Sequence, residues 1–313
     1  MILHYLNYNF NKNFLDLKTM NNDMAINYRK KLPEINNFSI LELHKMPKFF
    51  GWVKYLVNES DEICMFLGGN DDGVALRCFW NNHYEKKTLE IWSKLSAIEG
   101  IILDIGAHTG IYSLAAKKSI KKGDVLSFEP HYLNFARLNL NLRGNGFSTK
   151  TMFMNAVGKS NQIQPFSVMN NIDYLTSGGK IGSFKNRTTT QIQTIAIDSL
   201  LDKTARKNVK LVKIDVEGNE YECLQGMEET INLSKPIIFL ECISERYNRE
   251  IESFLKYHDY IFFIIDDLKG LLKETENITP IFDDNNNIIY QSINRLAIPR
   301  NNINLIAEFK SDF

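Results

Sequence analysis

The chain of 313 residues lacks any apolar run near the ~18 residues that cross a bilayer, carries only four cysteines, seven prolines and three tryptophans, and has no surplus of charge, since Lys+Arg and Asp+Glu each number 37. Each scarcity excludes something. The sequence holds no membrane span. Cys64, Cys78, Cys223 and Cys242 stand apart, without the paired spacing of a metal site or a disulfide framework, and read as buried thiols in a reducing, cytoplasmic setting. A net charge of zero gives no electrostatic case for nucleic acid or an anionic membrane. Met1 to Phe10 lacks a basic start followed by a continuous apolar stretch, so it does not read as a secretory signal. Oligomeric state leaves no signature.

What is present is an ordinary soluble composition, 44% hydrophobic and 24% charged, with enough apolar material for a sizeable core. Three segments are expected: an N-terminal extension over 1–95, a cofactor-binding domain over 96–300 and a tail over 301–313. The extension opens with an Asn- and Lys-rich arm of loose periodicity. Glu62–Leu67 and Val74–Phe79, joined by Gly68 to Gly73, then read as a β-hairpin, and a helix is predicted from Tyr84 to Leu95.

Beyond residue 95, strand and helix patterns alternate, which predicts an α/β fold with a mostly parallel sheet and helices on both faces. Strands are expected at Ile101–Ile105, Val125–Glu129, Met152–Val157, Val209–Ile214, Pro236–Leu240 and Tyr260–Ile265, with a last one within Ile288–Ile298. Helices are expected at Gly110–Ser119, Tyr132–Leu142, Glu220–Ile231 and Arg249–Tyr257. The polar stretch Lys159–Thr190 interrupts the alternation before the strand-like Gln191–Ile197, and reads either as a lid or as a plain hairpin insertion.

The most informative segment is Ile101 to Gly110, where an apolar run meets Asp104, Gly106, Ala107, His108 and Gly110 before the helical pattern begins. A buried strand, a tight glycine turn and a helix N-terminus receive nucleotide-like cofactors. Glu129 ends the next strand, where a carboxylate can accept hydrogen bonds from both ribose hydroxyls. The dinucleotide fingerprint needs glycine where this chain has His108, whose imidazole would crowd a pyrophosphate. A cofactor without phosphate, such as S-adenosylmethionine, fits that turn better.

Further acids lie at later strand ends. Asp215 and Glu217 follow Leu211–Ile214, and Glu241 follows Ile237–Leu240. Acids there can serve chemistry, or merely cap and charge the following helix. Asp215 and Glu241 on neighbouring strands could also hold Mg²⁺ together with substrate oxygens. His131 is a candidate base or a helix-start residue, and the aromatics Trp80, Tyr84, Tyr174 and Phe184 are candidates for stacking on a sugar ring or for ordinary packing.

Leu103-Asp104-Ile105-Gly106-Ala107-His108-Thr109-Gly110, Phe128-Glu129-Pro130, Asn155-Ala156-Val157-Gly158 and above all Lys213-Ile214-Asp215-Val216-Glu217-Gly218-Asn219-Glu220 resemble the FkbM family of S-adenosylmethionine-dependent methyltransferases. The resemblance runs from about Tyr84 to Ala297. It departs at His108, where the family often has asparagine. It implies a class I, Rossmann-like methyltransferase fold and methyl transfer to a hydroxyl, on a small-molecule or glycan acceptor such as a sugar or a secondary metabolite. By position it implies that Asp104, Gly106, Ala107, His108 and Gly110 surround the methionine part of the cofactor, Glu129 the ribose, and Asn155 with Ala156 the adenine edge. Asp215 and Glu217 are the candidates for base or orienter. An NAD(P)-dependent oxidoreductase and a non-catalytic cofactor-binding protein share the strand-turn-helix and stay open as alternatives.

Overall fold

The computed structural model describes residues 22–169, 175, 178–243, 248–284, 288–289 and 292–310. Tyr174 and most of the N-terminal arm lie outside them. The chain divides into two units, one taking the described residues of Met1–Tyr55, Cys64–Tyr84 and Asp173–Leu175, the other those of Leu56–Ile63, Glu85–Ile172 and Thr176–Phe313.

The first unit contains α1 (22–29), α2 (Ile40–Leu43), β1 (Phe49–Leu56), β2 (Glu62–Gly69) and α3 (Gly73–Trp80). The expected hairpin is corrected here: β2 pairs with β1, and Val74–Phe79 is helical. Asp72 decides this, because its Oδ1 accepts the N–H groups of Val74 and Ala75 at 2.9 and 3.1 Å and starts a helix where the glycines suggested a turn. Trp80 is fully buried, so it packs in a core and cannot stack on a ligand.

In the second unit, α4 (Lys86–Leu95) precedes the alternating run β3 (Glu99–Ile105), α5 (Ile111–Ser119), β4 (Lys122–Phe128), α6 (Tyr132–Gly144) and β5 (Met152–Phe153). A second sheet follows, from β6 (Ala156–Val157), β7 (Gln162–Met169), β8 (Lys180–Ile181) and β9 (Arg187–Ile195). The chain then passes through α7 (Ile197–Leu200), α8 (Lys203–Lys207), β10 (Val209–Ile214), α9 (Glu220–Gln225), α10 (Glu228–Ser234), β11 (Ile237–Glu241), α11 (Asn248–Tyr257), β12 (Tyr260–Asp266), β13 (Leu271–Thr275) and β14 (Asn294–Pro299), ending in a 3₁₀ segment, Arg300–Phe309.

The main sheet has the order β13-β12-β14-β11-β10-β3-β4-β5, with β5, β4, β3, β10 and β11 parallel and β14 antiparallel between β11 and β12. From β3 the chain steps one way through β4 to β5, then returns to β10 on the other side. Right-handed crossovers therefore place helices on both faces and open a crevice at the carboxyl ends of β3 and β10. This is the class I methyltransferase arrangement. Leu103, Ile105, Phe128, Val212, Ile214, Ile238 and Leu240 form the middle of its core.

Two expected elements are interrupted. Met152–Val157 is two strands: β5 extends the main sheet, whereas β6 pairs with β9 in the second sheet. Glu220–Ile231 is two helices, because Gly226 approaches the Gly158 carbonyl so closely that a Cβ would lie 2.0 Å from its oxygen. The Asp198 carboxylate then starts α10 afresh, accepting from the N–H groups of Glu229 and Thr230 at 2.8 and 2.9 Å. The described residues of the insertion after Gly158 include β7, β8 and the start of β9, with β7 paired to β9 over its whole length.

Candidate active site

Strand register carries the polar residues to one edge. Asp104 pairs across β3 with Ser127 of β4 and with Lys213 of β10, which pairs with Phe239 of β11. Two residues further on, on the same face of the pleat, the strand ends carry Glu129, Gly106, Asp215 and Glu241, with Asn294 paired to Glu241.

The β3–β4 side is tied by backbone. Gly106 and Ala107 both donate N–H to the Phe128 carbonyl, at 3.0 and 2.9 Å, and the Gly110 N–H closes the turn on Ala107. Gly106 is required: at φ +84° a Cβ would sit 1.8 Å from the Asp215 carbonyl oxygen. Gly110, at φ +101°, starts α5 with Leu138 against it. His108 sits at φ +49°, a left-handed position where asparagine is also at ease. Its N–H donates to Glu129 Oε2 at 2.9 Å, while the His131 N–H donates to Oε1 at 2.8 Å. His131 is buried and stands at the start of α6.

Burial pushes the Glu129 carboxyl up to about 7, against the N–H groups of His131 and His108. Asp104 lies beneath the turn, 1% exposed, accepting from the Ser113 hydroxyl, which is itself 2.6 Å from Ser127 Oγ. Burial raises it to about 6. Asn155 and Ala156 follow β5, but the Asn155 amide donates to the Gln193 carbonyl at 3.3 Å and Ala156 is 6% exposed, in β6.

The β10–β11 side is tied by side chains. Lys213 is 1% exposed, its Nζ 3.0 Å from Asp215 Oδ2 and 5.0 Å from the centre of the Tyr112 ring. Tyr112 donates its hydroxyl to Glu85 Oε2, which also accepts from Asn294 Nδ2 at 3.0 Å. Burial opposes the Lys213 charge, but Asp215, Glu85 and Glu241 overcome it and hold the ammonium above its ordinary range. Burial also opposes the Asp215 charge. Lys213 and a hydrogen bond with Glu241 outweigh it, so Asp215 lies below the usual carboxylate range. Glu241 is driven well above that range by burial, then by Asp215 and Glu217. Among the described residues its buried Oε2 has no hydrogen-bond partner. Glu217, at φ +58°, stands 3.9 Å from Lys180 of β8, and burial followed by Asp215 raises it to about 7.

The residues fit S-adenosylmethionine. Glu129 Oε1 accepts from the His131 N–H and, at 3.5 Å, from the Asn134 amide, whereas Oε2, accepting from the His108 N–H, keeps a lone pair for a ribose hydroxyl, and the acids around Gly106 suit a sulfonium. Among the described residues no group of three His, Cys, Asp or Glu side chains is placed to hold a metal, and no helix is long and apolar enough to cross a membrane. Sequence reasoning missed Lys213, Tyr112, Glu85 and Asn294 as site residues. A lysine inside an apolar strand, two positions before an acid, is the signal for the first. Glu85 and Asn294 are 209 residues apart, and no local pattern joins them.

The chain is similar to several known methyltransferases. A family model described as the methyltransferase FkbM domain matches residues 104–262. Ribosomal RNA large subunit methyltransferase E of Borrelia garinii subsp. bavariensis is 27% identical over 155 residues, which cover 48% of this chain and 77% of that protein. The protein of the same name from Borreliella afzelii is also 27% identical, over 48% of this chain and 78% of its own length. Among solved structures, methyltransferase FkbM from Methylobacillus flagellatus KT has 18% identity and a TM-score of 0.42, covering 72% of this chain and 53% of that chain. This chain therefore spans about half the length of that structure. TYW2 of M. jannaschii, solved in complex with AdoMet, has 10% identity and a TM-score of 0.35 over 77% of this chain and 80% of its own. With half of its length matched by the family model, and the matched span carrying the strand ends described above, the chain belongs to the FkbM family of methyltransferases.

Proposed function

We propose that the protein transfers a methyl group from S-adenosylmethionine to a hydroxyl of a sugar, glycan or secondary metabolite, at the crevice between β3 and β10. Asp104, Gly106, Ala107, His108 and Gly110 hold the methionine end of the cofactor, Glu129 the ribose, and Asn155 with Ala156 the adenine edge. The observation that carries the reading is the Asp215 carboxylate. It lies across Gly106 from Glu129, is 27% exposed, and stays charged beside Lys213 at 3.0 Å.

The bound cofactor supplies an already reactive methyl group. The protein's task is to align the acceptor oxygen and take its proton, and alignment alone supplies much of the rate. Asp215 accepts that proton, and Glu217 orients the acceptor from the loop above. Asp215 keeps its negative charge at this edge, which favours a neutral hydroxyl over a phosphate-rich chain. The sparse, scattered cysteines are the ground for proposing a reducing, cytoplasmic setting.

A ribosomal RNA acceptor is the second reading, favoured by the names of the two Borrelia relatives. Calorimetric titration with S-adenosylmethionine, S-adenosylhomocysteine and NADH comes first, followed by labelled-methyl transfer to a panel of methyl glycosides, glycans and ribosomal RNA. Binding of the first two ligands and label on a glycoside are expected. Label on RNA alone would move the acceptor to the second reading, and NADH binding or no binding would overturn the methyltransferase proposal.

A further inference from the structure

Lys213 is a buried ammonium in the middle of a sheet, and a lysine there is costly. Moving a charge out of water carries a desolvation penalty that a hydrophobic residue of similar volume avoids. One carboxylate would satisfy it, yet Asp215, Glu85 and Glu241 all bear on it. Glu85 is brought there at φ +41°, an unfavourable backbone for glutamate, and is fixed by the Tyr112 hydroxyl and the Asn294 amide. Tyr112 in turn lays its ring against Lys213 Nζ at 5.0 Å. Four separate stretches of chain thus converge on one amine, whose nearest partner points to the strand end.

Resting on the methyltransferase reading above, we infer that Lys213 is a positioning residue: clamped by Glu85 and Tyr112, it holds the Asp215 carboxylate in place as the proton acceptor for the methylated hydroxyl, with Glu241 bracing the other side. In the step served, the acceptor O–H bond breaks and its proton passes to Asp215. The oxygen forms its bond to the methyl carbon while the carbon–sulfur bond breaks, its electron pair staying on a now neutral sulfur. Glu241, whose carboxyl burial and then Asp215 drive well above the usual range, lies beside Asp215 on the next strand and leaves Asp215 the carboxylate that receives the proton.

The groups that bear on Asp215 come from every neighbouring element: Asp104 and His108 from β3 and its turn, Lys213 from its own strand, Glu217 and Glu220 after it, and Glu241 from β11. Glu85 acts from before α4, through Lys213, and Lys180 acts from β8, through Glu217.

The test is carboxyl ¹³C NMR of aspartate-labelled full-length protein, titrated from pH 3 to 8, in wild type, Lys213→Met, Lys213→Arg and Glu85→Gln, with S-adenosylmethionine calorimetry on each. The acid dissociation constant read from the Asp215 signal is expected to fall at least tenfold in Lys213→Met, its titration moving to higher pH, and to return close to wild type in Lys213→Arg. In Glu85→Gln, which keeps the shape of the clamp, it moves the opposite way, because Lys213 is freed to serve Asp215. Cofactor affinity stays within about threefold throughout. With whichever glycoside leads the acceptor panel, kcat falls at least tenfold in Lys213→Met with KM unchanged, and Lys213→Arg rescues it. If Lys213→Met does not fold, Glu85→Gln decides by the same signal. An Asp215 signal that does not move in a folded variant overturns the role of Lys213 while leaving the methyltransferase reading intact; failure of wild type to bind S-adenosylmethionine overturns both.

Discussion

On the β3–β4 side of the crevice, polar groups are settled by backbone from close in the chain. Glu129 accepts the N–H groups of His108 and His131, 21 and 2 residues away, and Gly106 and Ala107 share the Phe128 carbonyl. On the β10–β11 side they are settled by one another. Lys213, Asp215, Glu241, Glu85 and Asn294 come from four stretches of chain and join through side chains. Backbone hydrogen bonds fix geometry and move no protons, whereas a coupled set of buried acids around a lysine can redistribute a proton with little motion. The first construction suits holding a ligand, the second suits chemistry.

The largest effect should come where the two sides touch. Gly106→Ala drives a Cβ into the Asp215 carbonyl at a left-handed φ, and is expected to cost ~3 kcal/mol or more. The thermal midpoint should fall by more than about 10 °C. Gly218→Ala, also at positive φ but with open space around it, should cost only ~1 kcal/mol. Equal midpoints for the two variants would show that the sides are not locked through that backbone contact.

Glu129→Gln separates the sides more gently, keeping the shape and removing the charge. Cofactor affinity should fall about 10- to 100-fold, the loss of hydrogen bonds to a charged group, while the Asp215 carboxyl signal stays where it was. A shift of that signal would mean the two halves titrate as one.

The local motifs were the readable part of this molecule. The Ile101–Gly110 turn, Glu129 at the end of β4 and Asp215 at the end of β10 depend on residues within a few positions of each other, and the strands that carry them lie where the apolar runs put them. The failures come from two other sources. Gly68 to Gly73 offers both turn glycines and a helix-starting aspartate, and only packing decides between them. The break between α9 and α10 depends on Gly226 meeting Gly158, 68 positions earlier in the sequence numbering. The clamp around Lys213 is invisible for the same reason: Glu85 and Asn294 are neighbours only after the sheet has formed.

Acid strengthens the protein without cofactor. Burial raises Asp104 to about 6, and Glu129, Glu217 and Asp267 to about 7. Between pH ~4.5 and 7 the native state therefore binds more protons than the unfolded chain, so stability is fullest below that range and is lost as pH rises through it. Asp215, held low, works in the opposite direction at lower pH. Thermal midpoints are expected to be higher at pH 5 than at pH 8, with a smaller difference in Glu129→Gln. A midpoint that rises over this range would show that His131 and His258, whose imidazoles burial pushes down, outweigh the buried acids.

The smallest effect tests how the second sheet bears on this comparison. Lys180 reaches Glu217 at 3.9 Å, with the two side chains 35% and 21% exposed. A pair this open to water contributes ~0–1 kcal/mol, so Lys180→Ala should leave the thermal midpoint within about 2 °C. Its consequence is electrostatic. Burial and Asp215 already push Glu217 up, and Lys180 is the first of the charges opposing them. Without it Glu217 should hold its proton to higher pH, and the pH at which acceptor affinity changes should move up while Asp215, fixed from below by Lys213, keeps its own titration. A parallel shift of both carboxyl signals would instead make the insertion part of the proton-handling side, and Glu217 a partner of Asp215 in it.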